Sequence, residues 1–157
     1  MSDIESIYQL HAPRVLRFAL GLTGDRHLAK DLVAETFVRA MVSAQPIGLE
    51  TVAAYLCTIA RRLYLKEWHH RQRHSELEDI YGDGAPGPEQ RVGDAQAMAR
   101  MLAALQTLSE TDRTALLMRA EDEIPYEDIA RVLEISLSSA KVKVSRARVK
   151  LALLLKD

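Results

Sequence analysis

Cysteine is nearly absent from this chain of 157 residues. Cys57 stands alone, which excludes an intramolecular disulfide and a cysteine-based zinc site. Glycine and proline number only seven and five, and alternating β-branched runs are sparse, so an all-α fold is expected. No apolar run approaches the roughly 20 residues that cross a bilayer. The N-terminus lacks the basic stretch and apolar core of a signal peptide, so the expectation is a cytoplasmic chain with no membrane insertion of its own. A phosphate-cradling Gly-rich loop, a nucleophile elbow and a paired-carboxylate motif are all missing. Enzyme chemistry has no visible seat, and neither a cofactor nor a metal is expected. His69, His70 and His74 do not alter this, because neighbouring histidines point to different helix faces and nothing completes a ligand set.

What is present is apolar content of 48%, enough for real cores, and an uneven distribution of charge. The formal net charge is only −1, which superficially argues against a nucleic-acid binder. Yet residues 61–73 carry Arg61, Arg62, Lys66, Arg71 and Arg73 against Glu67 alone, and the charges from Lys141 to Lys156 are all basic. Local patches, rather than the sum, set the field that a phosphate backbone meets. Between His74 and Gln96 the composition turns acidic and rich in Gly and Pro, and Gly-Asp-Gly-Ala-Pro-Gly-Pro at 82–88 cannot continue a helix. The chain therefore divides into a helical block at 1–73, a flexible acidic linker at 74–94 and a second helical block at 95–157.

Three helices are expected in the first block. Ile4, Ile7, Tyr8, Val15, Phe18 and Leu22 stripe the first, which Gly21 and Gly24 end. Asp25 caps a second that buries Leu28, Leu32, Val33, Phe37 and Met41. Thr51 caps a third that uses Leu56, Ile59, Ala60 and Leu63. In the second block a helix ends near Leu108, and Ser109-Glu110-Thr111-Asp112 starts another in the manner of a capping box. A short helix then follows Pro125, with Tyr126, Ile129, Ala130 and Leu133 on one face. Ser136 caps a long basic helix striped by Leu137, Ala140, Val144, Ala147, Leu151 and Leu154. A short helix across the start of a basic one is the geometry that places the second helix in a DNA major groove. An αα-hairpin with a solvated basic face is the other reading of this segment.

Two further patterns admit two readings each. Asp31, Glu35 and Arg39 fall at successive i, i+4 positions opposite the apolar stripe of the second helix, where they form either a docking ridge for a basic partner or a solvated face. In the third helix Tyr55, Arg61, Arg62, Tyr64, Lys66, Trp68 and Arg71 interleave rings with cations. That mixture suits single-stranded DNA, whose bases stack on rings while cations follow the phosphates. Otherwise the rings fill the core and the cations keep the helix soluble.

Taken in order, these segments resemble the extracytoplasmic-function sigma factors, the compact two-domain branch of the sigma-70 family. The resemblance rests on residues 11–19 and 23–26, on Ala29-Lys30-Asp31-Leu32-Val33-Ala34-Glu35-Thr36-Phe37-Val38-Arg39-Ala40, and on Ala54-Tyr55-Leu56-Cys57-Thr58-Ile59-Ala60-Arg61-Arg62-Leu63. In the second block it rests on Leu108-Ser109-Glu110, Tyr126-Glu127-Asp128-Ile129-Ala130 and Ser145-Arg146-Ala147-Arg148. It implies that Asp31, Glu35, Phe37 and Arg39 bind core RNA polymerase. It implies that Tyr55, Arg61, Arg62, Tyr64, Lys66, Trp68 and Arg71 engage the melted minus-ten strand of promoter DNA. Ser138, Ser139, Lys141, Val142, Lys143, Arg146 and Arg148 would meet the minus-thirty-five duplex, with base reading at Ser138, Ser139, Val142 and Lys143. An anti-sigma factor would hold the two blocks together, and the acidic linker would thread the polymerase's active-site and RNA-exit path.

The chain departs from the family pattern at Arg62, where Asn is usual, at Lys66, and at Glu134, where the turn usually has glycine. Ala140-Lys141-Val142-Lys143 also replaces a commoner Val-Lys-Ser-Arg. Two other functions fit parts of the sequence. A stand-alone helix-turn-helix regulator leaves the third helix and the acidic ridge unexplained. A sigma mimic that titrates an anti-sigma factor would be expected to have lost the cations of the last helix.

Overall fold

The computed structural model describes residues 3–42, 51–74, 92–122 and 124–156. Among these, seven helices and no strand are found: α1 (Asp3–Thr23), α2 (Arg26–Val42), α3 (Val52–His74), α4 (Val92–Gln106), α5 (Glu110–Asp122), α6 (Tyr126–Leu133) and α7 (Leu137–Leu155). Side chains of 68–74 lie outside the description, and so does all of 75–91, which includes most of the stretch read as an acidic linker. Helix α3 runs to His74 and α4 begins at Val92, each slightly beyond the block limits expected from composition.

The helix starts are set by side chains that accept the otherwise orphaned N–H groups of the first turn. Asp25 Oδ1 accepts from Leu28 N at 3.1 Å, and Thr51 Oγ1 from Ala54 N at 3.0 Å. Ser109 Oγ accepts from Asp112 N at 3.2 Å, and Ser136 Oγ from Ser139 N at 3.1 Å. Pro125 precedes α6 with φ −57° and no side-chain cap, and its ring presets the chain for a helical turn.

Two left-handed residues end helices. Gly24, at φ +71°, closes α1 and donates its N–H to Leu20 O at 2.8 Å. Glu134, at φ 59°, closes α6, with its N–H on Arg131 O and Ile135 N on Ala130 O. That pair of bonds is a Schellman ending, which glycine ordinarily makes because a Cβ in this conformation costs about 1 kcal/mol.

Helices α1, α2 and α3 pack around Val15, Phe18, Leu22, Leu32, Phe37, Leu56 and Ala60, all buried. In the second block Met118, Ile124, Ile129, Ala140 and Val144 are buried between α5, α6 and α7, and Leu105, Leu108, Leu116 and Ala147 form a second cluster under α4. The two blocks are not separate cores, because the first cluster is continuous from Val15 to Val144. Apolar periodicity overreached at Met41, Leu137 and Leu154. These lie on the expected stripes but stay exposed, since no described element covers them.

Candidate nucleic-acid and polymerase surfaces

The helix-turn-helix geometry is formed as the sequence suggested. Ile129 and Ala130 of α6 and Ala140 and Val144 of α7 are buried in one cluster with Met118 of α5, and Ala147 of α7 is buried against Leu105, Leu108 and Leu116. This turns Ser138, Ser139, Val142 and Arg146 of α7 outward, all exposed. On one flank, Lys141 lies 5.9 Å from the ring centroid of Tyr126, which Arg119 also covers at 4.3 Å. Arg148 is exposed on that same flank.

Lys143 stands apart from the other residues expected to read bases. It is on the flank facing α5, where Nζ meets Asp112 Oδ1 at 2.8 Å, with both side chains largely covered. Its charge is already matched inside the block.

On α2, Asp31, Glu35 and Arg39 are exposed, and Arg39 Nε bonds Glu35 Oε2 at 3.1 Å. The i, i+4, i+7, i+11 stripe that starts with Asp31 and Glu35 continues through Val38 and Val42, which are 53% and 80% exposed. Such aliphatic residues beside carboxylates make a surface that water covers poorly. Neither valine was expected from sequence to join the ridge, although their helical spacing from Asp31 was visible. Phe37 is placed differently from Asp31, Glu35 and Arg39: it is buried, and its ring meets Tyr8 edge-on at 4.9 Å, so it supports α2 from within.

The third helix is divided. Arg62 and Lys66 are exposed and Tyr55 is half-buried, whereas the side chains of Trp68 and Arg71 lie outside the described residues. Tyr64 and Arg61 face the second block. Tyr64 is buried, and its hydroxyl accepts from Arg113 Nη2 at 3.2 Å. Arg61 grips Glu110 in a two-pronged pair, Nε to Oε2 at 2.6 Å and Nη2 to Oε1 at 2.9 Å. Burial alone would raise the Glu110 carboxyl. The Arg61 hydrogen bonds and charge outweigh it, helped by Thr114 and Arg113, and hold the group below its ordinary value of 4.5.

Glu110, Arg113 and Gln106 were not singled out for such a role from sequence, and they join the blocks. The last carbonyls of α1 have no partner within their own helix. Leu20 O is met by Gly24, but Gly21 O accepts from Gln106 Nε2 at 2.9 Å and Leu22 O from Arg113 Nε at 2.9 Å. A guanidinium at this end also opposes the partial negative charge of the helix terminus. Arg113, buried itself, completes its set with Leu108 O at 2.8 Å. Gly21 lets α5 come close, because a Cβ there would stand 2.7 Å from Leu117 Cδ2. No local pattern could have revealed the hydrogen bonds between the blocks, which join residues 49 to 91 positions apart.

Among the described residues no group of His, Cys, Asp and Glu could hold a metal, and no helix is long and apolar enough to cross a membrane.

An all-helical chain with a basic helix-turn-helix at one end and an acidic-aliphatic ridge beside a ring-and-cation helix at the other has the parts of a promoter-recognition subunit. Comparison with known proteins makes this specific. Residues 7–74 match sigma-70 region 2, and residues 98–151 match sigma-70 region 4. The ECF RNA polymerase sigma factor EcfG of Rhodopseudomonas palustris is 34% identical over 148 residues, covering 91% of this chain and 80% of that protein. SigE of Mycolicibacterium smegmatis is 31% identical over 154 residues, and the chain spans 60% of that protein's length. The sigma factor RpoE of Bartonella quintana, solved in complex with the anti-sigma factor NepR, superimposes with a TM-score of 0.80 at 26% identity, covering 99% of this chain and 98% of that one. Mycobacterium tuberculosis SigJ shares the fold at a TM-score of 0.60 and 24% identity, covering 96% of this chain and 53% of that one. The chain belongs to the extracytoplasmic-function RNA polymerase sigma factors.

Proposed function

We propose that this sigma factor divides promoter recognition among three surfaces and carries out no covalent chemistry itself. The stripe of Asp31, Glu35, Val38 and Val42, with Arg39 beside it, docks on a basic, partly apolar face of core RNA polymerase. Helix α3 engages the melted minus-ten strand through Tyr55, Arg61, Arg62, Tyr64 and Lys66, with Trp68 and Arg71 farther along. The outward face of α7 enters the minus-thirty-five major groove, where Ser138, Ser139 and Val142 meet base edges. Lys141, Arg146 and Arg148 follow phosphates. Regions 1–73 and 95–157 act as the two recognition units, joined by the stretch between them, in a protein that works in the cytoplasm.

The observation that carries this reading is the presence, in one chain and in order, of both sigma regions, in a protein similar along 91% of its length to a sigma factor. An anti-sigma factor as inhibitor is supported by the likeness to the Bartonella quintana protein, solved with its anti-sigma factor NepR. Such a partner would hold the blocks as they lie here, with α5 against α1 and α3.

Run-off transcription with purified core polymerase, on the promoter of the chain's own operon, tests the reading. A specific transcript is expected only when the chain is added, and Asp31→Lys with Glu35→Lys should abolish it while leaving helicity intact. Identical transcripts with and without the chain would refute the assignment.

A further inference from the structure

The bond between Arg61 and Glu110 has a functional consequence beyond joining two blocks. A carboxylate that offers both oxygens to one guanidinium reproduces the charge and fork of a phosphodiester's two non-bridging oxygens. Glu110 does this at 2.6 and 2.9 Å, with Thr114 Oγ1 donating to Oε2 at 2.9 Å to fix the carboxylate's orientation. The same packing buries Tyr64 under Arg113. A cation and a ring of the helix proposed to bind the strand are therefore both occupied by groups of the second block.

We infer that Glu110 is a resident competitor for strand phosphate at Arg61, so that the free chain masks part of its own minus-ten reader without a second protein. This rests on the proposal that α3 binds the melted strand. Opening the chain and binding the strand become one exchange, in which Arg61 leaves a carboxylate and takes a phosphate. The exchange keeps the hydrogen-bond count of Arg61 constant, so the balance is set by the remaining contacts at the interface: Arg113 on Leu22 O and Tyr64, Gln106 on Gly21 O, and Leu117 against Gly21. Core polymerase, by holding the blocks apart, would shift the population to the open form. An anti-sigma factor would then select a closed form that exists already.

The test uses the full chain, with a short fluorescein-labelled single-stranded oligonucleotide of mixed sequence as probe. Glu110→Gln removes the competing charge and keeps the shape. It should raise the affinity of the free chain for the strand by about tenfold, since a charge-assisted pair is exchanged for a neutral one. Once core polymerase is bound, the same substitution should leave strand binding and promoter opening unchanged. Adding Arg61→Ala to Glu110→Gln should remove the gain.

Small-angle scattering separates closure from strand binding. The free chain should have a radius of gyration of about 15 Å, as a compact chain of this length does. Glu110→Arg should expand it, and the exchanged pair Arg61→Glu with Glu110→Arg should restore compaction without restoring strand binding. Circular dichroism would show that each variant retains its helices. Equal strand affinity for Glu110→Gln and the parent, with both compact, would overturn the inference while leaving transcription by the holoenzyme as the separate test of the sigma assignment. Expansion of Glu110→Arg without any gain in strand binding by Glu110→Gln would likewise overturn it.

Discussion

Helices α3 and α7 are the two elements through which this sigma factor would meet DNA, and the structure leaves them in opposite conditions. The outward face of α7 is free, with Ser138, Ser139, Val142 and Arg146 exposed. Its supporting contacts come from within its own block: α6 buries the inner face, Asp112 holds Lys143 and Tyr126 underlies Lys141. In α3 the inward residues are held by the other block, Arg61 by Glu110 and Tyr64 by Arg113. On the proposed function, the difference would follow the substrates. Duplex DNA is available before transcription starts, so a duplex reader can be preformed. A melted strand exists only within the polymerase, and a reader covered until then is kept from stray single strands.

The strongest way to break this contrast is to remove Arg113. Arg113→Met leaves Leu22 O, Leu108 O and the Tyr64 hydroxyl without their shared donor in a buried place. It should cost about 3 kcal/mol of stability, seen as a lower denaturant midpoint, because each unmet buried polar group costs about 1–3 kcal/mol. A loss below about 1 kcal/mol would mean the interface carries little of the fold.

On the α7 side, Val142→Glu places a carboxylate on the exposed face proposed to meet the groove. Duplex affinity at the minus-thirty-five element should fall about thirtyfold, roughly 2 kcal/mol, with no change in strand binding by α3. A parallel loss for single strands would show that the two readers are not independent.

Smaller effects sharpen the picture within the second block. Glu134→Gly relieves the left-handed conformation at φ 59° and should stabilise the chain by about 1 kcal/mol in thermal melts. Asp112→Ala frees Lys143 and should steepen the salt dependence of duplex binding by about one unit, an effect that Lys143→Ala in the same chain cancels. If Lys143→Ala alone changes which minus-thirty-five sequences are used, Lys143 reaches the bases despite its partner.

Acid gives the least effect near neutrality. The Glu110 carboxyl is held below its ordinary value of 4.5 in the closed chain. Its contribution is therefore complete above about pH 4.5 and is lost as pH falls through the lower, folded value. Parent and Glu110→Gln chains should differ in stability above that range and converge below it.

Much of this arrangement was legible in the sequence where the cause is local. Asp25, Thr51, Ser109 and Ser136 were recognisable as caps, because a side chain acts there on its own first turn, and the family resemblance marked Glu134 as standing where glycine is usual. The outward serines and Val142 of α7 followed from helical period. What stayed hidden is which surface covers which. Periodicity marked Met41, Leu137 and Leu154 as apolar-face residues but could not say that no neighbour reaches them. It placed Arg61 among cations and Glu110 at a helix start, with no trace of their bond across 49 positions. A bond at that separation depends on how two helical blocks dock, which no single segment encodes.

The most direct measurement is arginine reactivity in the free, unmodified chain, followed residue by residue with phenylglyoxal and mass spectrometry. Arg62, next to Arg61 on the same helix, and Arg146 on α7 are both exposed and should react readily, whereas Arg61, bound two-pronged to Glu110, should be protected until core polymerase is added. Arg61 reacting as fast as Arg62 before polymerase is present would contradict a covered minus-ten reader.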